Sequence, residues 1–420
     1  METLGRKAAQ EQARMSRKRQ RKNVRRGQRE YNEAVAQGGI MIGKIAVAMD
    51  SFKGSISGKT ANDIVEEALK KALPQAWIRK FHLADGGEGS HDALKDLLSD
   101  LKMINTPSQD PAGRGINSRF GYLESKRHAL IEIASTNALT MIEPEKRNPL
   151  ALSSRGVGLL IGRSLDLGAE KISVFLGGSA TVDVGCGMLA ALGARFYDDE
   201  GNLLAEGNGQ TVCRAAKIDF SDLDRRLENA SIRCYCDVAN PLTGPSGAAL
   251  AFGPQKGGTP EMLDKIEDGM MRIMKLYPPC DPALPGGGAA GGLGYALASV
   301  LCAEIRSGSR YFLDLQQFPS CLDDCDLLVT GEGRIDSQTA MGKGPGLAAA
   351  MAREKGVAVI GLCGACGEDL RLEESPFDAV FPIIDGPRTL TEAMSIPASS
   401  ANLRRTVSAI AALLALGARK

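Results

Sequence analysis

Apolar residues along this chain gather in short runs, and the runs end in polar, glycine-rich segments. Lys44-Ile-Ala-Val-Ala-Met49 has no polar alternation, so it reads as a strand buried on both faces, and it delivers Asp50-Ser51-Phe-Lys53-Gly54 at its C-terminal end. Thr60 to Leu73 carries apolar residues at helical spacing and is closed by Pro74. A second strand, Trp77 to Ala84, ends in Asp85-Gly-Gly-Glu88-Gly89 and is followed by a helix over His91 to Leu98. Further strands are predicted over Ala129 to Ala134, Lys171 to Leu176, Ile232 to Cys236, Asp326 to Thr330 and Val357 to Leu362. Helices are predicted over Gly156 to Leu167, Gly187 to Leu192 and Glu261 to Leu276, and Ser408 to Gly417 belongs to a terminal helix. Pro285 to Gly294 reads as a glycine-rich hinge. Strands alternating with helices define an α/β protein, and in open α/β sheets ligands bind outside the carboxyl ends of the strands.

Charge separates the first 40 residues from the rest. They hold 11 Lys/Arg and 4 Asp/Glu, a net of +7 in a chain whose total is +1, so the body is mildly acidic. Their polar, basic run cannot bury a core, which makes disorder the expectation. An upstream extension ahead of a start at Met41, a nucleic-acid arm and a nuclear localisation signal are the alternatives; a transit peptide fits poorly, since serine is scarce. Aromatics make up only 5% of the chain, too few for the stacking platforms that single-stranded nucleic acid needs. No apolar run reaches the length of a membrane span. The ten cysteines lie in apolar segments without a preceding signal peptide, which fits reduced thiols in the cytoplasm. Cys363-Gly-Ala-Cys366 matches a C-x-x-C pattern, read here as small residues at a strand end rather than as a metal or redox site.

Several nucleotide-binding motifs are excluded by spacing. Gly54-Ser-Ile-Ser-Gly58-Lys59-Thr60 is one residue short of a Walker A loop, and Lys59-Thr60 reads as a helix start. Gly286-Gly-Gly288-Ala-Ala-Gly291 follows prolines rather than a strand, so the Rossmann context fails. Protein-kinase signatures are absent. What remains is a set of loops suited to phosphate chemistry. Gly177-Gly178-Ser179-Ala180-Thr181 closes a strand and opens a helix, where glycines admit an anion and amides and hydroxyls donate to it; a capped tight turn is the plain alternative. Asp85 and Glu88 in one loop, and Glu332 and Asp336 in Gly331-Glu-Gly-Arg-Ile-Asp336, are placed to hold Mg²⁺ or substrate hydroxyls, or are solvated turns. His82, His91 and His128 are not at metal-ligand spacing and read as structural or exposed.

Seven segments together resemble the bacterial-type glycerate kinase family related to galactarate and glyoxylate pathway enzymes. They are Asp50–Gly54, Ala84–Gly89, Gly177–Thr181, Cys236–Pro245, Phe252–Gly257, Gly288–Gly294 and Thr330–Gln338, in the family's order from Met41 to the C-terminus. The resemblance implies two domains around a cleft: a flavodoxin-like parallel-sheet domain discontinuous in sequence (41–98 plus 286–420) and an inserted mixed α/β domain (99–285). It implies transfer of the ATP γ-phosphate to D-glycerate with Mg²⁺, giving 2-phosphoglycerate. A kinase for another small hydroxy acid is the near alternative; a nucleic-acid-binding protein using residues 1–40 is the distant one. The sequence sets no oligomeric state.

The expected roles follow the motifs. Gly177 to Thr181, with Gly331, Glu332 and Lys343, handle nucleotide phosphates. Asp50, Ser51, Asp85, Glu88 and Asn240 contact substrate, and Asp85, Glu332 and Asp336 are the metal candidates. Lys53, and Lys343 beside it in role, neutralise the substrate carboxylate or the phosphoryl group, and Asp237 or Asp183 orients or deprotonates the attacking hydroxyl. The chain departs from the family at Val182-Asp183-Val184-Gly185, where Asn-Asp-Gly-Gly is usual, and at Gly344, where Thr or Val is common.

Overall fold

The computed structural model describes residues 42–87, 89–340 and 344–417. They form two compact units divided at Leu83/Ala84 and Gln316/Gln317. In the first unit β1 (Lys44–Met49) and β2 (Trp77–Lys80) join β11 (Leu327–Ile335), β12 (Ala358–Cys366) and β13 (Ala379–Pro382). All pairings are parallel, and the order is β13-β12-β11-β1-β2. Counted within the unit this is the 2-1-3-4-5 order of flavodoxin-like sheets, whose switch point lies between the first and third strands.

Helix α1 (Gly58–Ala72) follows from its sequence: Ser57 caps it, and Ala61, Ile64, Val65, Ala68 and Leu69 bury one stripe. That stripe and β1 share a core with Leu403, Val407 and Ala411 of the terminal helix (Ile396–Gly417). Asn62, on the same face, is buried too. Its side chain accepts from Met49 N–H at 2.9 Å and donates to Phe81 C=O at 2.9 Å, which satisfies backbone groups where β1 gives way to its loop.

The second unit holds a mixed sheet of order β10-β9-β6-β5-β4-β3. Strands β5 (His128–Glu132), β6 (Lys171–Phe175), β9 (Ser231–Tyr235) and β10 (Glu304–Arg306) are parallel, β3 (Lys102–Gln109) and β4 (Gly115–Leu123) form an antiparallel hairpin on one edge, and β7 (Arg195–Tyr197) and β8 (Lys217–Asp219) make a separate antiparallel pair. Helices α2 (Ser90–Leu97), α3 (Arg155–Asp166), α4 (Cys186–Ala191), α5 (Pro260–Leu276), α6 (Ala289–Val300) and α7 (Gly308–Leu315) belong to this unit.

Three sequence expectations change. Segments 84–98 and 286–316 were assigned to the discontinuous domain but belong to the second unit. Leu94 and Phe312 are buried with Leu130, Phe175 and Tyr235, and β10 pairs with β9, so apolar burial and backbone pairing tie both segments there. Pro285–Gly294 is not a hinge: Gly286 to Ala289 are buried, and Gly291 approaches Thr181 so closely that a Cβ would lie 2.0 Å from its carbonyl oxygen. Gly331–Ile335 is not a loop but the second half of β11, paired with β12 as far as Ile335↔Cys366.

Gly158 marks where α3 meets α4, since a Cβ there would lie 2.2 Å from the Met188 carbonyl oxygen. Helix propensity alone favours alanine over glycine by about 1 kcal/mol. Overpacking against backbone predicts the opposite sign, so Gly158→Ala should lower the unfolding free energy by about 2 kcal/mol in urea titration.

Candidate active site

In the second unit the functional side chains come from the carboxyl ends of the parallel strands. After β9, Asp237 accepts from Ser307 Oγ at 2.7 Å and from Ser309 N–H at 3.0 Å, and the Ser309 hydroxyl donates to the same carboxylate. Both serines follow β10, so the parallel register of β9 and β10 brings them to the aspartate. Burial pushes the Asp237 carboxyl up from its usual range, these hydrogen bonds oppose the rise, and the nearby charge of Asp85 adds to it.

Asp85 is exposed, and its Oδ1 accepts from Gly87 N–H at 2.8 Å, which closes a tight loop. That loop lies against the loop after β6, where a Cβ on Gly177 would fall 2.2 Å from Gly87 Cα. Only glycine permits such a backbone approach. The exit of the Asp85 loop is fixed by buried Glu132, which accepts from Gly89 N–H at 3.1 Å and His91 N–H at 2.6 Å at the start of α2.

The Gly177–Thr181 segment does not open a helix, as the sequence suggested. Helix α4 begins only at Cys186, and its first amides face an internal anion. Asp183 has no exposed surface, and it accepts from Ser154 N–H at 2.7 Å, Gly185 N–H at 3.2 Å and Gly187 N–H at 3.3 Å. Those amides serve the aspartate, so the helix-end anion site expected for phosphate is taken. Val184 beside it has φ 49°, a left-handed backbone that β-branched residues rarely adopt. This is one of the positions at which the chain departs from the family's glycine.

The loop itself is held from beneath. Asn137 Nδ2 donates to Thr181 Oγ1 at 3.0 Å, and Ala180 N–H donates to Asn137 C=O at 2.9 Å. Lys256 is buried and donates from Nζ to Ser179 Oγ at 2.9 Å and Thr181 C=O at 2.8 Å. Burial lowers its ammonium to about 7, against the pull of Asp183. The sequence reading gave Lys256 no role; its one signal was a lysine set among Gly253-Pro-Gln and Gly257-Gly258. Ser307, Ser309, Glu132 and Asn137 were missed as well, because nothing local marks residues that act only across strands.

Asn240 Nδ2 donates to Ser246 C=O at 2.7 Å, so its amide braces the loop after β9.

The first unit carries a second cluster, at its switch point. Asp50 follows β1, its backbone N–H donates to Gly331 C=O at 2.8 Å, and its Oδ1 accepts from Ser51 N–H at 2.6 Å. Gly331 is a packing residue, where a Cβ would lie 1.9 Å from Leu362 C=O. Glu332 accepts from Thr339 Oγ1 at 2.8 Å, and Asp336 sits 3.4 Å from Arg334 Nε. Burial raises the Glu332 carboxyl to about 7; the Thr339 hydrogen bond and exposed Lys53 oppose this, and repulsion from Asp50 and Asp336 adds to it. Gly344, with φ 40°, stands at the start of a helix over Pro345–Glu354, and a Cβ there would fall 3.3 Å from Asp50 Oδ2. Glu88, Lys343 and the basic residues 1–40 lie outside the described residues.

Among the described residues no three His, Cys, Asp or Glu groups are arranged to hold a metal ion. Cys363 and Cys366 approach to 3.3 Å between sulfurs as free thiols, and Cys366 is exposed, not buried as expected. Burial holds the rings of His91 and His128 neutral, each lowered to about 4. No helix among the described residues is long and apolar enough to cross a membrane.

A flavodoxin-like sheet in one unit and a mixed sheet in the other, each delivering hydroxyls, carboxylates and close-packed glycines at its strand ends, define an α/β enzyme of the phosphotransferase class. Residues 45–415 match the model of the glycerate kinase family. The chain is 40% identical over 381 residues to a glycerate kinase of Bacillus subtilis strain 168, covering 89% of this chain and 98% of the relative. It is 37% identical to a glycerate 2-kinase of Escherichia coli K12, covering 90% and 99%. A crystal structure described as glycerate kinase 2 from Salmonella typhimurium LT2 superposes with a TM-score of 0.74 at 39% identity, covering 90% of this chain and 100% of that one. The chain belongs to the glycerate kinase family, phosphotransferases with an alcohol group as acceptor.

Glu332 offers a pH test of the acidic cluster. An unfolded glutamate titrates near about 4.3, and Glu332 in the folded chain near about 7. Between those values the native state holds more proton than the unfolded one, so this residue subtracts stability as pH rises. Glu332→Gln should therefore gain Tm relative to the wild type across that window and then level off. A difference that stays constant with pH in thermal melts would remove the argument.

Proposed function

We propose that the chain transfers the γ-phosphoryl group of ATP to the 2-hydroxyl of D-glycerate, giving 2-phosphoglycerate and ADP. The observation that carries the reading is Asp237, a carboxylate oriented by Ser307 and Ser309 and raised in proton affinity, which follows the strand paired with the one that delivers Gly177–Thr181. Family membership supports glycerate as the acceptor, and the name of the Escherichia coli relative, glycerate 2-kinase, supports the 2-position.

Phosphoryl transfer calls for positioning and charge neutralisation more than covalent chemistry. The hydroxyl oxygen of glycerate attacks phosphorus, the bond from phosphorus to the ADP oxygen breaks, and the hydroxyl proton passes to Asp237. In the second unit, Asp85 holds a substrate hydroxyl. The Gly177–Thr181 loop donates to phosphate oxygens through backbone amides and Ser179. On the first unit, taken by itself, Ser51 and Lys53 offer a hydroxyl and a cation to an anionic ligand, and Lys343 is assigned the same charge role. Asp183, first weighed as an alternative base, has no surface from which to meet a substrate; we assign it to holding the loop in place.

Magnesium fits the donor set in one respect. Burial and its acidic neighbours raise the Glu332 carboxyl to about 7, and a divalent cation is the kind of group that reverses such repulsion. Mg²⁺ commonly takes one or two carboxylates and completes its shell with phosphate oxygens and water, so a three-ligand cage is not required. Glu332 and Asp50 would hold it, and it would neutralise phosphate charge.

The full chain with ATP, MgCl₂ and D-glycerate should release ADP, and ³¹P NMR should identify 2-phosphoglycerate as product. Formation of 3-phosphoglycerate would overturn the regiochemistry, and turnover confined to another hydroxy acid would overturn the substrate. Asp237→Asn should lower kcat by about 100-fold or more with Tm little changed. Near-normal turnover would remove Asp237 as the proton acceptor.

A further inference from the structure

Lys256 is a buried cation that the mechanism above does not use. Its segment, Pro254–Lys256, is a single 3₁₀ turn ended by Gly257 in the left-handed region, with φ 84°. Gly257 packs so tightly on Arg147 that a Cβ would fall 2.2 Å from its carbonyl oxygen. The turn drives the lysine stem inward, and Nζ arrives under the Gly177–Thr181 loop rather than at the surface.

A lysine ammonium has three donors and no acceptor. Ser179 Oγ therefore accepts from it, and the single hydroxyl proton of Ser179 must be donated elsewhere. Thr181 is treated the same way from the other side. Its C=O accepts from Lys256, while its Oγ1 accepts from Asn137 Nδ2. Asn137 is buried, and among the described residues its Oδ1 has no hydrogen-bond partner. The Lys256 donor beneath the loop thus turns the Ser179 hydroxyl proton away from itself, while Thr181, with no exposed surface, keeps its own hydroxyl inside. A structural cross-link would need only the Thr181 carbonyl; the second bond, to a hydroxyl that is itself a donor, has a consequence for whatever anion lies beyond it.

We infer that Lys256 is a positioning residue for the phosphoryl-transfer site, acting through Ser179 by fixing its hydroxyl as a donor toward a nucleotide phosphate oxygen. The inference rests on the reading of Gly177–Thr181 as the phosphate cradle. It assigns the effect of Lys256 to one partner, and that is what makes it separable from a general loss of stability. Lys256→Met keeps most of the stem and removes the charge, so the core stays filled.

The test is a double-mutant cycle on the full chain: wild type, Ser179→Ala, Lys256→Met and the double variant. Steady-state kinetics with ATP and D-glycerate are read together with the Tm shift produced by ATP alone, which needs no acceptor. Each single variant should lose about tenfold in kcat/KM for ATP, the scale of one hydrogen bond to a charged group, with KM for D-glycerate within about twofold. The double variant should be no worse than the poorer single one, and the ATP-induced Tm shift should follow the same pattern. Effects that multiply to about a hundredfold, a Lys256→Met enzyme with normal kinetics, or equal losses toward both substrates would overturn the role of Lys256 while leaving the cradle standing. A Ser179→Ala enzyme identical to wild type in kinetics and ATP shift would overturn the cradle, and the inference with it. If D-glycerate is not the acceptor, the ATP shift still reads the cycle.

Discussion

The Asp183 carboxylate has no exposed surface, and the segment around it is arranged to receive its charge. An isolated buried carboxylate would neutralise or unfold its surroundings. Here burial pushes the Asp183 carboxyl up, the amides of Ser154, Gly185 and Gly187 converge on it and oppose that rise, and the Lys256 amine, lowered to about 7 by its own burial, is pulled toward its charged form by Asp183. Those amides belong to the starts of α3 and α4, so one side chain fixes two helix entries and the chain between them. Breaking a buried charged network by deleting one partner typically destabilises by about 3–5 kcal/mol. The loop over Gly177–Thr181 thus stands on a rigid base, and Val184 can be kept in a left-handed conformation that it would not choose alone.

Close backbone approach is the second constraint. Gly177 meets Gly87, Gly291 meets Thr181, and Gly308 meets Asp85, each where a Cβ would fall within 2.2 Å of a backbone atom. The second unit's site is built largely from main chain, which suits an anionic ligand whose oxygens need donors rather than apolar contact. It also explains how a chain with few aromatics makes a specific site: shape comes from the absence of side chains at chosen positions.

Carboxylates of the same kind take different characters from their surroundings. Asp183 is spent on amides, Asp237 is held by two serines with its proton affinity raised, and Asp85 is exposed and closes its own loop. Glu332, half-buried among acids at the switch point of the first unit, is held near neutrality. Burial and hydrogen-bond donors, not residue type, sort these groups into a buried anchor, a carboxyl of raised proton affinity, an exposed loop-closing acid and a half-buried acid among like charges.

The sequence determined the strands, the order of the polar segments at their ends and the family, because buried parallel strands write continuous apolar runs and the family's motifs are ordered along the chain. Asp50, Asp85, Asp237 and Glu332 were legible as candidates for the same reason: each follows or lies in such a run. The tertiary structure alone decided which of them are available. Asp183 looked as reactive as Asp237 in the sequence, but its oxygens are taken by the amides of Gly185 and Gly187 just after it and by that of Ser154, 29 residues earlier in the chain. Lys256 had no role legible in its local sequence, and its place under Ser179 and Thr181 comes from a turn 77 and 75 residues beyond them in the chain. Availability of a charge depends on what surrounds it in three dimensions, and a local pattern carries no record of partners so distant along the chain.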